Sequence, residues 1–246
     1  MPSVTLSRLT YTGPDGQNLF SNLDLSFGTG RTGLVGRNGV GKTTLLRLIT
    51  GELTPASGSL NVVGRVGLLR QSVQPGPDET IADLFGVRAG LDLLERAMAG
   101  SASAEELADA DWTLEARLAE ALDALALDVV PESLLSTLSG GQRTRAALAA
   151  LVFDVPDLIL LDEPTSALDL SVQAQIIDLL RKLQDERGLS YLFISHDLKV
   201  VRALCHRVMV MQHGKIVEQG PVSEVLTNPA TDYTRRLVRA AFEIAA

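Results

Sequence analysis

The chain has 246 residues, of which 46% are hydrophobic and 21% are charged, a composition that fits a folded globular protein and excludes a disordered one. Its formal net charge is −8, and the stretch from Asp78 to Glu132 alone holds 14 acidic residues and 3 arginines. Sequence-independent binding to nucleic acid depends on lysine and arginine, so this balance opposes nucleic acid or a ribosome as a partner and favours a solvated helical surface.

Neither a membrane span nor a secretion signal is predicted. No apolar run reaches the length that a bilayer requires, and the N-terminal sequence MPSVTLSRLT lacks an apolar core. We therefore expect a cytoplasmic protein with no direct membrane insertion. The single cysteine, Cys205, fits a reducing compartment and is predicted to be a small buried residue inside a helix.

Strands and helices alternate over most of the chain, which predicts an α/β fold with a largely parallel sheet. The run TGLVG (32–36) predicts a strand, and the sequence KTTLLRLIT that follows its glycine-rich loop predicts a helix. Residues 78–135 are rich in alanine, leucine and acidic residues and poor in β-branched residues. They predict a helical subdomain inserted into the α/β core.

The C-terminal third continues this alternation. The apolar runs at 157–162 and 189–195 predict buried strands, and the periodic pattern at 171–188 predicts an amphipathic helix that ends at Gly188. Residues 197–207 predict another helix. The last feature, at 208–220, predicts a hairpin that turns at His213 and Gly214.

A phosphate-binding loop is predicted between the strand at 32–36 and the helix that follows it. The sequence GRNGVGKTT matches the pattern G-x-x-x-x-G-K-[ST], in which backbone N–H groups surround phosphates. The lysine of this pattern reaches the β- and γ-phosphates, and the following hydroxyl binds Mg²⁺. The predicted nucleotide-binding residues of this loop are Gly36, Asn38, Gly39, Gly41, Lys42, Thr43 and Thr44.

The sequence LILLDEP supplies the acidic residues that such a site requires at the end of a buried strand. Asp162 is predicted to bind the hydration shell of Mg²⁺. Glu163 is predicted to orient or deprotonate the attacking water. The alternative interpretation of this Asp-Glu pair is a turn or a helix N-cap.

A second candidate anion site lies in the stretch LSTLSGGQRTRAALAALV (135–152), which predicts a helix with a glycine-rich first turn. Free backbone N–H groups and the positive end of the helix dipole favour an anion at such a start.

The motifs GRNGVGKTT, LLRQS, LSGGQ, LILLDEP, SALD and FISHD occur in the order and approximate spacing found in ATP-binding cassette (ABC) ATPases, and the chain resembles this family over essentially its whole length. The resemblance implies a P-loop NTPase of ABC type, α/β in class. Its central sheet is mostly parallel, with an N-terminal antiparallel β part and an inserted α-helical subdomain. We expect one nucleotide-binding domain, 1–246, with a core of 1–77 and 153–246 and a helical subdomain of 78–152.

The resemblance also implies roles for individual residues. Gln71 matches the Q-loop glutamine, which contacts Mg²⁺ and water, and His196 matches the switch histidine, which contacts the γ-phosphate. Asp169 matches the D-loop aspartate that crosses to the partner subunit. Tyr11 is the expected aromatic residue for stacking on adenine, with an ordinary strand residue as the alternative.

ATPases of this family act as head-to-tail dimers, which gives the second anion site an expected ligand. The resemblance implies that its residues contact ATP held by the other subunit, with the γ-phosphate bound by the Ser139 hydroxyl and the glycine N–H groups. The residues concerned are Ser139, Gly140, Gly141 and Gln142. We therefore expect ATP and Mg²⁺ as ligands, a homodimer that closes on ATP binding, and hydrolysis of ATP to ADP and phosphate.

The two ends of the chain resemble different branches of the family. Residues 1 to about 155 resemble ABC-F proteins, soluble tandem-cassette ATPases of which many act on ribosomes, and residues from about 160 to 246 resemble the ATPases of oligopeptide and dipeptide importers. Our hypothesis is a chimera, natural or engineered, joined near residues 153–165.

Three functions follow from these two resemblances. The first is the ATPase of a peptide-type importer, bound to transmembrane permease subunits at the inner face of the cell membrane. The second is a soluble ABC-F-like ATPase associated with translation, which the acidic charge and the single cassette oppose. The third is an engineered chimera that binds nucleotide without a physiological partner.

Overall fold

A computed structural model of the chain describes residues 1–70, 75–166 and 168–242. Contacts divide the chain into two compact units, one formed by Met1–Gln71 with Pro156–Ala246 and the other by Ser72–Val155. The subdomain expected from the family resemblance, 78–152, falls within the second of these units. The strands of the described residues all lie in the first unit and are, in chain order, β1 (Ser3–Thr12), β2 (Asn18–Phe27), β3 (Arg31–Val35), β4 (Ser57–Val63), β5 (Val66–Leu69), β6 (Leu158–Asp162), β7 (Ser190–Ile194), β8 (Arg207–Gln212) and β9 (Lys215–Pro221).

These strands form two sheets. Strands β2, β1 and β4 form an antiparallel sheet in that order. The second sheet has the order β5-β6-β7-β3-β8-β9, in which all neighbours are parallel except β8 and β9. The prediction of a mostly parallel central sheet with an N-terminal antiparallel part is therefore confirmed.

The first unit contains five described helices, α1 (Lys42–Ile49), α7 (Leu170–Arg187), α8 (Leu198–Leu204), α9 (Val222–Val225) and α10 (Asp232–Phe242). The second unit contains α2 (Ile81–Leu84), α3 (Arg88–Met98), α4 (Ala104–Asp109), α5 (Leu114–Ala124) and α6 (Gly140–Phe153). Within the described ranges, no helix combines the length and the apolar character that crossing a membrane would require.

One predicted helix is shorter than the sequence pattern suggests. Helix α8 ends at Leu204, and Cys205 is buried at its C-cap with an extended backbone (ψ 150°), so the placement of Cys205 inside a helix was wrong. The helical pattern is overridden because Arg207 already belongs to β8, which pairs with β3. By contrast, α7 ends as predicted at Gly188, which has a left-handed backbone (φ 65°).

The hydrophobic core lies against the central sheet. Every residue of β6 and of β7 is buried, as expected for parallel strands that are covered on both faces. One cluster joins these strands to apolar side chains of β1, β2, β3, β8 and α1. This packing fixes the carboxyl ends of β3 and β6, which carry the loop and the acidic residues of the candidate site.

Candidate active site

The loop between β3 and α1 has a backbone that only glycine accommodates at several positions. Gly39 and Gly41 have left-handed backbones, with φ of 80° and 108°. A β-carbon on Gly41 would lie 2.8 Å from the Phe20 ring, and one on Gly36 would lie 2.4 Å from the carbonyl oxygen of Met211. The loop is thus closely packed from outside while Gly39 at its tip has open space around it.

Lys42, the first residue of α1, is held at this loop and is only 6% exposed. Its Nζ donates hydrogen bonds to the carbonyl oxygens of Gly36 (2.9 Å) and Arg37 (3.3 Å), and lies 3.7 Å from Oε1 of Glu163. Burial lowers the pKa of Lys42, an effect that the carboxylates of Glu163 and Asp162 oppose. The protonated amine is a suitable counter-charge for a polyphosphate.

Asp162 is the last residue of β6 and accepts a hydrogen bond of 3.0 Å from the Thr43 hydroxyl at its Oδ2. Burial raises the pKa of Asp162. No group of three or more histidine, cysteine, aspartate or glutamate side chains in the described ranges could hold a metal by itself. The pair nevertheless fits Mg²⁺, which is commonly bound by one or two carboxylates together with phosphate oxygens and waters.

Glu163 connects Lys42 to His196. Its Oε2 lies 2.9 Å from Nδ1 of His196, and its side chain is 11% exposed while that of His196 is 55% exposed. An ionised carboxylate only accepts, so Nδ1 of His196 donates. The backbone of Glu163 is left-handed (φ 47°), a conformation that costs an ordinary residue about 1 kcal/mol and is held here by its N–H bond to Ile194 (3.1 Å).

These side chains surround a cavity of about 330 Å³ at the loop. It is lined by predicted site residues, Asn38, Gly39, Gly41, Lys42, Thr43, Thr44 and Glu163. Asp162 contacts this group through Thr43, and His196 contacts it through Glu163. The structure therefore brings most of the predicted nucleotide site together in the first unit.

Tyr11 lies on β1, where its backbone pairs with Phe20 and its side chain is partly buried against the core cluster. A cavity of about 390 Å³ beside the loop is lined instead by Gln17, Asn18, Leu19, Arg37, Asn38, Gly39, Val40, His213 and Gly214. The stacking role of Tyr11 thus stays a prediction.

The remaining predicted residues lie at helix starts or outside the described ranges. Ser139 is the N-cap of α6 and precedes Gly140 and Gly141. Its hydroxyl accepts a hydrogen bond from the backbone N–H of Gln142, and its own backbone N–H donates to the Gln142 side-chain oxygen. Asp169 is the N-cap of α7, where it accepts from the N–H groups of residues 171 and 172. Gln71 falls outside the described residues. The roles proposed for these residues stay predictions.

Sequence reasoning missed one contact of the loop. The Tyr233 hydroxyl, near the start of α10, accepts a hydrogen bond of 3.2 Å from the N–H group of Arg37. These residues are 196 positions apart, and no local pattern links them. Only the order of strands in the sheet, which brings the C-terminal segment beside β3, could have indicated it.

Comparison with known proteins gives one family. A family model described as ABC transporter matches residues 20–166. The peptidoglycan transport ATP-binding protein YejF of Agrobacterium fabrum is 41% identical, over 91% of this chain and 42% of that protein. The oligopeptide transport ATP-binding protein OppD of Mycobacterium tuberculosis is 40% identical, over 89% of this chain and 36% of that protein. The chain thus spans less than half the length of these relatives.

The fold is also similar to that of solved structures. CbiO1 of Clostridium perfringens, part of the ABC transporter complex CbiONQ, aligns with a TM-score of 0.74 over 98% of this chain and 96% of that chain, at 23% identity. At this identity the likeness concerns the fold alone, and it agrees with the P-loop architecture predicted from the sequence.

Proposed function

Because this chain belongs to the ABC transporter family as an ATP-binding domain, and domains of this family hydrolyse ATP, we propose that it energises the uptake of peptides or peptide-like compounds across a membrane. The names of YejF and OppD, which refer to peptidoglycan and oligopeptide transport, support this substrate class. Because this chain covers less than half of each relative, its substrate and its partners are both proposed here.

The observation that carries the catalytic part is the position of Glu163 between Lys42 and His196. Lys42 binds the β- and γ-phosphates. Glu163 accepts a proton from the water that attacks the γ-phosphorus, while the bond between this phosphorus and the β,γ-bridging oxygen breaks and ADP leaves. His196 keeps the carboxylate oriented through its Nδ1–H bond. Positioning and charge stabilisation carry most phosphoryl-transfer catalysis, which is the work that these side chains can do.

Mg²⁺ is the proposed cofactor, and Thr43 and Asp162 are the residues that would hold it. Their oxygen atoms already lie 3.0 Å apart, and oxygen ligands are those that Mg²⁺ prefers. When bound, the ion neutralises the charge that develops on the phosphates. Gln71 is proposed as a further contact of the metal.

We further propose a head-to-tail homodimer that closes on ATP. Ser139 and Gly140 are exposed at the start of α6, and the first N–H groups of a helix have no acceptor within it. They would bind the γ-phosphate of ATP held by the second copy, so that hydrolysis removes contacts that stabilise the closed dimer. Asp169 would cross to the other subunit at the same interface.

Transmembrane permease subunits are the proposed coupled partners, which implies a location at the inner face of the cell membrane. The soluble ABC-F alternative receives no support from the relatives described above. The alignment with YejF leaves out less than a tenth of the chain, so it continues through residues 153–165 and includes the segment that resembles ABC-F proteins. Separate ancestry of the two segments stays a hypothesis, tested by comparing 1–155 and 165–246 individually.

The process that this ATPase drives can be tested by finding which partner the chain binds. Copurification of the tagged chain with a permease, and ATP turnover that rises when peptides are added to that complex, would support the importer proposal. Salt-sensitive cosedimentation with ribosomes would support the ABC-F alternative instead. Binding to neither would leave a nucleotide-binding domain without a physiological partner, the third hypothesis. A Lys42→Ala variant, expected not to bind nucleotide, is the control in each assay.

A further inference from the structure

Helix α10 begins beside the phosphate-binding loop. Tyr233, in its first turn, is only 9% exposed, and its hydroxyl accepts the Arg37 N–H at 3.2 Å. Arg37 is the second residue of the loop, directly before the segment that lines the nucleotide cavity. A residue close to the C-terminus of the described chain therefore fixes a backbone group of the loop.

The loop is held on both sides of this residue. The N–H group of Arg37 donates to Tyr233, while the carbonyl groups of Gly36 and Arg37 accept from Lys42 Nζ at 2.9 and 3.3 Å. Both peptide groups of Arg37 are thus fixed by long-range or side-chain contacts. A change in the orientation of this backbone would also displace acceptors of the phosphate-binding lysine.

The start of α10 is itself anchored to the central sheet. Glu218 of β9 accepts hydrogen bonds from the N–H groups of Ala230 (2.8 Å) and Thr231 (3.0 Å) and from the Thr231 hydroxyl (3.0 Å). Strand β9 pairs with β8, and β8 pairs with β3, which leads into the loop. Hydrogen bonds therefore attach the start of α10, which carries Tyr233, to the same sheet that leads into the loop.

The helix also borders the catalytic end of the site. A cavity of about 470 Å³ has walls formed by the end of β3 and the start of the loop (Val35–Asn38), by His196 and Leu198, and by Leu237, Ala240 and Ala241 of α10. Helix α10 thus lies beside both the phosphate-binding loop and the switch histidine.

From this geometry we propose that Tyr233 is a positioning residue for the phosphate-binding loop, through which helix α10 sets the affinity for ATP. The inference rests on nucleotide binding and is independent of the transported compound. A loop that is already ordered loses less conformational freedom on binding, so a hydrogen bond that orders it increases affinity without contacting the ligand. Tyr233 does not enter the chemical step.

Substitution of one hydroxyl tests this proposal. Tyr233→Phe keeps the ring and removes the acceptor for Arg37. Since the net contribution of such a bond corresponds to a factor of about two to ten, we expect ATP and ADP to bind about two- to tenfold more weakly. The KM for ATP should rise with little change in kcat, a division that a general loss of folded protein would not produce.

Tyr191→Phe is the matched control. Tyr191 is fully buried in β7, and its hydroxyl has no hydrogen-bond partner among the residues that the structure describes. Loss of this hydroxyl should leave ATP affinity unchanged. Unaltered ATP affinity in Tyr233→Phe, or an equal loss in the Tyr191→Phe control, would overturn the proposal.

Two further measurements separate loop order from general stability. In the absence of nucleotide, hydrogen exchange at the Arg37 amide should be faster in Tyr233→Phe than in the parent and unchanged in Tyr191→Phe. Glu218→Ala, which releases the start of α10, should weaken ATP binding in the same direction, and the effects of Glu218→Ala and Tyr233→Phe should not add. Unchanged exchange at Arg37, or full additivity, would contradict the proposal even where peptide transport fails to be demonstrated.

Discussion

Replacement of Glu163 by glutamine tests the central assignment of the site. An amide of the same size keeps the packing but cannot accept the proton of water, and general-base catalysis contributes a factor of about 10² to 10⁴. We expect turnover to fall by that factor. The Oε1 atom of Glu163 lies 3.7 Å from Nζ of Lys42, so at an effective dielectric constant of about 20 their attraction is roughly 4 kcal/mol before desolvation. Loss of this attraction leaves the charge of Lys42 more available to phosphates, so ATP should bind at least as tightly as to the parent.

The assay combines single-turnover phosphate release with size-exclusion chromatography in the presence and absence of Mg·ATP. The Glu163→Gln variant should elute as an ATP-dependent dimer, whereas the parent should return to monomer as it hydrolyses ATP. Unchanged turnover would refute the role of Glu163 as a base. Weaker ATP binding would refute the argument that Glu163 competes with phosphate for Lys42.

Four further predictions concern stability and reactivity. Gly214→Ala should lower the free energy of unfolding by about 2–4 kcal/mol, because φ is 69° and the new methyl group would lie 1.7 Å from the carbonyl oxygen of Leu19. Gly188→Ala is the control: its φ of 65° is similar but the space around it is open, so the loss should be only about 1 kcal/mol. Chemical denaturation measures both values. Burial raises the pKa of Cys205 to about 12, so iodoacetamide at pH 8 should label it only after unfolding. Because the pKa of the Cys205 thiol is higher in the folded state, this group contributes fully to the free energy of unfolding below its ordinary pKa of about 9. That contribution is lost as pH rises towards 12. Ser139→Ala should reduce stability by about 1 kcal/mol, measured by thermal unfolding, through loss of the α6 N-cap.

The phosphate-binding loop could be predicted because its requirements are local. Its three glycines all stand within one nine-residue motif that can be recognised in the sequence, and the apolar runs before and after the loop identify a strand and a helix. The hairpin at His213 and Gly214 follows the same logic, since both turn residues have positive φ (47° and 69°) as a two-residue turn requires.

Features that depend on tertiary pairing could not be predicted. The bond between Tyr233 and Arg37 requires β9, β8 and β3 to be neighbours, and the left-handed backbone of Glu163 requires β7 beside β6, since its N–H donates to Ile194. The end of α8 was likewise set by the pairing of β8 with β3 rather than by helical periodicity. Sequence patterns supplied the candidate side chains, while strand order determined how they are held.

Helix α6 shows why a capped helix start can also bind an anion. The Ser139 hydroxyl accepts the N–H of Gln142 at 3.3 Å, and the Gln142 side-chain oxygen accepts the N–H of Ser139 at 2.9 Å. Accepting a bond uses a lone pair of the hydroxyl and leaves its proton free to donate. The N–H groups of Gly140 and Gly141 have no acceptor within α6, and the helix dipole adds a positive field at this end. A phosphate could therefore receive these donors without breaking the cap, so the bonds that stabilise α6 also prepare the proposed contact with ATP on a second copy.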